Sequence, residues 1–257
     1  MASVKDIQAR IEKLQRAEEE VRRLQDELIE DAEQSRSAAV EALREAVIEG
    51  LGNGEGPEAA AALVPLAEVL GELEGPEVCD MLIDLLGSEE PEVRFTAGRA
   101  MQDLAFDRFK EVAEATERAA KRLARDNQAL RELPYVVAEV GEPGVPKILR
   151  GYLAHADAEV VASAIEALAA LGDHAAIPEL KKLTRDPRTV QLDEEEADAQ
   201  ASIGALAEEA IAMIDEGSGM GAPAPEHPGR KGPPPPPVRN PQGGGGRPGG
   251  QGGGRRR

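Results

Sequence analysis

The 257-residue chain contains no tryptophan, and three phenylalanines and two tyrosines are its only aromatic residues. So few rings offer little platform for stacking a base or a flat cofactor, whereas a core of Ala, Leu, Val and Ile suits closely packed helices. A single cysteine, Cys79 in the apolar string VCDMLIDLL, excludes an internal disulfide and fits a reducing compartment; the apolar setting marks a buried, inert thiol rather than a nucleophile. Histidine is nearly as scarce. His155 and His174 fall at turns or helix ends and His227 near the C-terminus, so no helix offers two imidazoles at i and i+4 for a metal. No apolar run approaches the ~20 residues needed to span a bilayer, and the opening MASVKDIQAR lacks the apolar core of a signal peptide. The acidic run Asp193–Glu196 has neither the spacing nor the glycine of a calcium loop, and reads as a solvated helix start favoured by the positive dipole end. These absences predict a soluble, cytoplasmic protein that is no enzyme, with no catalytic residues, no metal and no cofactor.

What is present is charge, unevenly placed. The net charge of −19 combines residues 1–216, with 23 Lys and Arg against 48 Asp and Glu, and residues 217–257, with 7 against 1. The chain therefore has an acidic body and a basic C-terminal segment.

Asp157–Asp186, DAEVVASAIEALAALGDHAAIPELKKLTRD, reads as one complete helix–turn–helix unit. Val161, Ile165, Leu168 and Leu171, with Ala164 and Ala167 between them, recur at helical spacing and form one apolar face. Gly172 supplies a left-handed stop, Asp173 opens a turn, and Pro178 is tolerated in the first turn of the next helix, where its missing N–H has no partner to lose. Ile177, Leu180 and Leu183 line that second helix. Neither helix buries its apolar face alone, so the unit requires neighbours like itself.

The string AEVVASAIEALAALGDHAAIPELKKL resembles a short bacterial HEAT repeat, of the kind also found in phycobilin-lyase-like proteins, and EPEVRFTAGRAMQDLA at Glu90–Ala105 repeats its first half. Similar starts at Pro57, Pro91, Gln128, Glu159 and Glu196 give steps of 34, about 37, about 31 and about 37 residues. The Trp-containing tetratricopeptide pattern and the TPLH pattern of ankyrin repeats are absent. The resemblance covers about residues 57–215 and implies an all-α solenoid of HEAT-like helical pairs. It implies no chemistry: iron-dependent hydroxylases of HEAT fold use His-Glu pairs that do not occur here, and a lyase or a HEAT-like glycosylase would have few rings with which to hold a tetrapyrrole or stack a base.

In chain order, Ile7, Ile11, Leu14, Val21, Leu28 and Ala32 fall on a 4–3 spacing, interrupted by Glu18 and Gln25. This heptad seam of about four repeats predicts a coiled-coil helix over residues 1–34, roughly 45 Å long at ~1.5 Å per residue. Two readings follow: a parallel homodimer through residues 7–32, or a cap folded back on the first solenoid unit. Residues 35–56 hold a linking helix ending at Gly50 and a Gly-rich hinge. The solenoid occupies residues 57–216, with pairs Pro57–Leu73 and Gly75–Leu86, Pro91–Leu104 and Phe106–Arg125, a third pair that starts or kinks at Pro134 and returns over Val145–Ala154, and the unit at 157–186. A last helix over about 193–216, carrying Ala201, Ile203, Leu206, Ile211 and Ile214, closes the stack. Residues 217–257 are Gly or Pro at 24 of 41 positions and predict a disordered tail spanning about 35 Å. There Pro233–Pro237 with Arg239 forms a preformed polyproline segment, and Arg247, Arg255, Arg256 and Arg257 offer contacts to phosphates or an acidic surface.

One pattern rises above packing. In a HEAT-type solenoid the second helices line the concave face. Here they carry Lys110, Lys121, Arg122, Arg125, Lys147, Arg150, Lys181, Lys182 and Arg185, while the first helices are mostly acidic. A basic strip on an acidic body suits an acidic peptide or a phosphate-bearing ligand. Arg125, Arg150 and Arg185 also lie near helix C-termini, where a cation is favoured whatever the ligand. The reading is a non-enzymatic scaffold or adaptor that grips another protein. Nucleic acid bound through tail and strip, which the acidic body opposes, and a lyase-like or chaperone-like factor for a modified protein are the alternatives.

Overall fold

Proline and glycine at regular intervals cut the chain into helices too short to stand alone, and their stacking builds the molecule. A computed structural model describes residues 3–191 and 200–217. The expectations for the acidic run at 193–196, and those for the tail residues Pro233, Pro237, Arg239, Arg247, Arg255, Arg256 and Arg257, lie outside the described residues. The elements are α1 (Val4–Gln34), α2 (Arg36–Gly52), α3 (Pro57–Glu72), α4 (Pro76–Leu85), α5 (Pro91–Arg122), α6 (Gln128–Ala138), α7 (Val145–Tyr152), α8 (Ala158–Leu171), a 3-10 turn (His174–Ala176), α9 (Ile177–Leu183), β1 (Thr189–Gln191), β2 (Gln200–Ser202) and α10 (Ile203–Gly217).

Local chemistry explains most boundaries. Proline occupies the first turn of α3, α4, α5, α7 and α9, where no backbone hydrogen bond is lost. Asn127 caps α6, and Asp157 caps α8 by accepting from the N–H groups of Glu159 and Val160. Gly172 ends α8 in the left-handed conformation expected of it, at φ 64°.

Helices α3, α5, α6, α8 and α10 stack on one another as first members of successive pairs, with α4, the second arm of α5 and α7 as second members and α9, which follows α8 in the chain, packed on α10. The result is an all-α solenoid of HEAT-like pairs. One continuous core runs through it, and Leu63, Leu70, Leu82, Met101, Leu130, Leu149 and Ile165 are among its fully buried side chains. Each such side chain contributes about 1.5–3 kcal/mol. Small residues set the helix spacing: a Cβ on Gly71 would lie 3.1 Å from that of Ala100, and one on Gly98 would lie 3.2 Å from Val136 Cγ2. Between repeats, Tyr152 Oη donates to the Thr116 carbonyl at 2.9 Å and Arg94 pairs with Glu132 at 3.2 Å.

Several details differ from the sequence reading. Helix α2 continues through Gly50 to Gly52, shortening the hinge to a turn in which Gly54 and Gly56 have positive φ. The two helices of the second pair are arms of α5, broken at Arg108 (φ −133°, ψ 42°) rather than before Phe106, and Arg108 donates to the Leu73 carbonyl across the break. That contact ties the break to the residue that ends α3. The second arm stops at Arg122, leaving Arg125 beyond it. Helix α6 starts at Gln128, as the repeat spacing expects, and carries Pro134 inside it, so the helix does not begin at Pro134. The last helix starts at Ile203, not near 193, because β1 and β2 pair antiparallel with Val190 opposite Ala201. The N–H groups of Ile203 and Gly204 donate to the carbonyls of Arg188 and Asp186, so the hairpin captures residues that helical periodicity assigned to α10.

Helix α1 divides its seam. Its N-terminus closes in a reciprocal cap between Ser3 and Asp6. Its C-terminal half packs on α2 and α3: Ala32 is buried, and Gln25 Nε2 donates to the Pro65 carbonyl at 3.2 Å and to Glu68 Oε2 at 2.6 Å. Because α2 also packs on α3 and α4, the α1–α2 pair takes the place of a preceding repeat. Ile7, Ile11, Leu14, Val21 and Leu28 nevertheless remain exposed.

Candidate partner-binding surface

The second helices carry seven of the nine cations singled out from the sequence, while Arg125 lies beyond α5 and Arg185 beyond α9, and their surroundings divide the nine into two groups. Arg122 Nη1 lies 2.7 Å from Asp84 Oδ1, and one turn earlier Arg118 lies 3.0 Å from Asp80, so two rungs tie the second arm of α5 to α4. Burial raises the Asp84 carboxyl above its ordinary pKa, against the opposing pull of Arg122. Arg150 reaches Asp173 at 2.6 Å and holds α7 to the turn before α9. Lys110 pairs loosely with Glu114 on its own helix, at 3.7 Å.

The other six, Lys121, Arg125, Lys147, Lys181, Lys182 and Arg185, are exposed, and among the described residues none has a carboxylate within ion-pairing distance. On a body with 48 acidic residues against 23 basic ones, six unpaired cations on second helices and the segments that follow them are a selective arrangement. Helix α7 packs on α5, α6 and α8, whereas α9 packs on α10.

A second surface had no reading in the sequence. An open groove of ≈ 640 Å³ between α1 and α3 is lined by Glu18, Arg22, Gln25, Asp26, Glu68 and Glu72, among others. Glu68 and Glu72 also line its neighbour of ≈ 330 Å³ between α3 and α5, with Thr96, Arg99 and Asp103. Phe95 and Phe106 stand exposed on the same arm of α5, at 67% and 71%. The spacing of Phe95, Arg99, Gln102 and Phe106, by four, three and four residues, puts them on one helix face and was the available signal. Two of the three phenylalanines of an aromatic-poor chain are thus outside its core.

Residues 127–199 match the family model for HEAT repeats. That span runs from the cap of α6 past β1, so the HEAT match takes in Lys147, Arg150, Lys181, Lys182 and Arg185. No curated protein matches the chain. Among solved structures, the chain is similar to the crystal structure of an engineered protein from the Northeast Structural Genomics Consortium, at 22% identity and a TM-score of 0.31, over 75% of this chain and 89% of that one.

The groups with chemical potential are engaged in structure. His155 Nδ1 accepts from the Asp157 N–H at 3.1 Å, inside a turn. Cys79 is buried in α4, and burial, with Glu111 adding to it, pushes its thiol up to about 11. Among the described residues no three His, Cys, Asp or Glu side chains are grouped to hold a metal ion, and no helix is long and apolar enough to cross a membrane.

Proposed function

We propose that this protein is a non-enzymatic scaffold or adaptor that binds another protein through the unpaired cations of its second helices. Lys121, Arg125, Lys147, Lys181, Lys182 and Arg185 make the contacts, while Arg122 and Arg150 hold the helices that present them and Lys110 pairs within α5. The observation that carries the reading is the split itself: among the described residues some of these cations are paired with carboxylates and six are not, in a body rich in carboxylates. Stacked helical pairs suit this use because they present a wide, rigid face. The complementary partner is an acidic peptide or a phosphate-bearing protein segment. The basic residues of 217–257 supply a second contact, and two weak contacts on one chain raise effective affinity. Nucleic acid is the weaker alternative because the acidic body repels it. We read the location as cytoplasmic from the single, unpaired Cys79.

The test is capture of partners from native lysate after nuclease treatment, using the full chain, a chain ending at Glu216, and the full chain with Lys121→Glu, Lys147→Glu and Lys181→Glu. A protein partner retained by the first two and weakened at least about tenfold by the triple reversal is the expected outcome. Unchanged affinity after reversal removes these cations from the contact. Retention that requires nucleic acid or the tail overturns the scaffold reading.

A further inference from the structure

Seven of the thirteen exposed large apolar side chains among the described residues belong to α1. Six of them are spaced symmetrically about its midpoint. Ile7 and Leu28, Ile11 and Leu24, and Leu14 and Val21 lie equally far from a point between Ala17 and Glu18, and all six are between 39% and 60% exposed. A helix laid antiparallel on its own copy about that point sets each member of a pair against its counterpart. Three different layers, each made twice, then close an isologous interface.

We propose that the protein self-associates through α1 as an antiparallel two-helix dimer, with Ile7, Ile11 and Leu14 of one copy packed on Leu28, Leu24 and Val21 of the other. Charge selects the second copy and its direction. Residues 4–17 carry four basic and two acidic side chains, while residues 18–31 carry two basic and seven acidic ones. Antiparallel packing sets the basic half on the acidic half and brings Lys5 near Glu30, Arg16 near Glu19 and Glu12 near Arg23. Parallel packing sets the acidic halves on each other.

The fold also decides against the parallel seam. Such a seam needs Gln25 and Ala32 in the interface, yet Gln25 is bonded to Pro65 and Glu68 and Ala32 is buried against the body. Leu24 and Leu28 stay exposed beside that contact and Val21 lines the open groove between α1 and α3, so the apolar stripe runs past the body onto the N-terminal half of the helix. The Ser3–Asp6 cap and the ion pair Glu12–Arg16 support this half as helix before it meets a partner, and Glu20–Arg23 and Arg23–Glu27 support the other half. The surface is separate from the second-helix cations, so either proposal stands without the other.

The test uses the full chain. Sedimentation equilibrium is expected to give a dimer, and Ile11→Asp or Leu24→Asp to raise its dissociation constant at least about tenfold with helical circular dichroism unchanged. Direction is read from a spin label on Gln8→Cys, since the native Cys79 is buried. The two labelled positions sit 19 residues apart along an antiparallel pair, about 28 Å at ~1.5 Å per residue, but only about 10 Å apart in a parallel one. A monomer at about 100 µM, a dimer that tolerates both Asp variants, or a dimer with the short distance would each overturn the proposal.

Discussion

Cys79 and the two tyrosines show how burial sets behaviour residue by residue. The Cys79 thiol, pushed up to about 11 chiefly by burial, stays protonated at neutral pH. An aromatic disulfide reagent at pH 8 should leave it unmodified in the native protein and label it at the rate of unfolding; rapid labelling would show an open path to α4. The phenols of Tyr135 and Tyr152 are also raised, first by burial. For Tyr135, acceptance of its proton by Glu166 at 2.6 Å adds to a shift that reaches about 12. The folded chain holds protons that the unfolded chain releases above about pH 10. The stabilisation from both groups is therefore complete below pH 10 and is lost as pH rises through their folded-state values. Tyr152, buried and bonded to Thr116, contributes more than the half-exposed Tyr135. Melting temperature should thus fall more steeply between pH 10 and 12 in the natural protein than in Tyr152→Phe, and parallel slopes would contradict this.

Between elements, guanidinium groups do much of the joining. Arg188 is held by Asp186 and donates to the carbonyls of His155 and Ala156, at 3.1 and 2.9 Å, linking the start of β1 to the turn before α8. Asp186 is correspondingly held below the ordinary carboxylate range. Arg188→Met should cost about 1–2 kcal/mol in denaturant unfolding and speed amide exchange at residues 186–191, because two carbonyls lose a charged donor. The Arg118–Asp80 and Arg122–Asp84 rungs are partly exposed and contribute less, since water already solvates each ion well.

The stack as a whole should open from its ends, because each helical pair touches only its neighbours. Native-state hydrogen exchange is expected to be fastest, among the described helices, over residues 4–16 of α1, and slowest around Leu82 and Met101, which have covered neighbours on both sides. Uniform protection along the stack would instead indicate a single cooperative block. An α1 dimer would slow exchange in residues 4–16 with rising concentration, and the Ile11→Asp variant should lack that dependence.

The sequence by itself determined the solenoid and most of its joints. The stop at Gly172, the start at Asp157 and the first-turn prolines act through hydrogen bonds and sterics within four residues, so they are legible in linear order. The apolar faces of α8 and α9 were legible for the same reason, through helical spacing. Only the tertiary structure decided which cations are neutralised, because Asp84 and Arg122 lie 38 residues apart and meet through the stacking register of two repeats. It also decided the break at Arg108, the hairpin that takes Ala201 from the last helix, and the division of the α1 seam at Gln25. Each depends on how far a side chain or carbonyl of one element reaches into another, a distance that no spacing along the chain encodes.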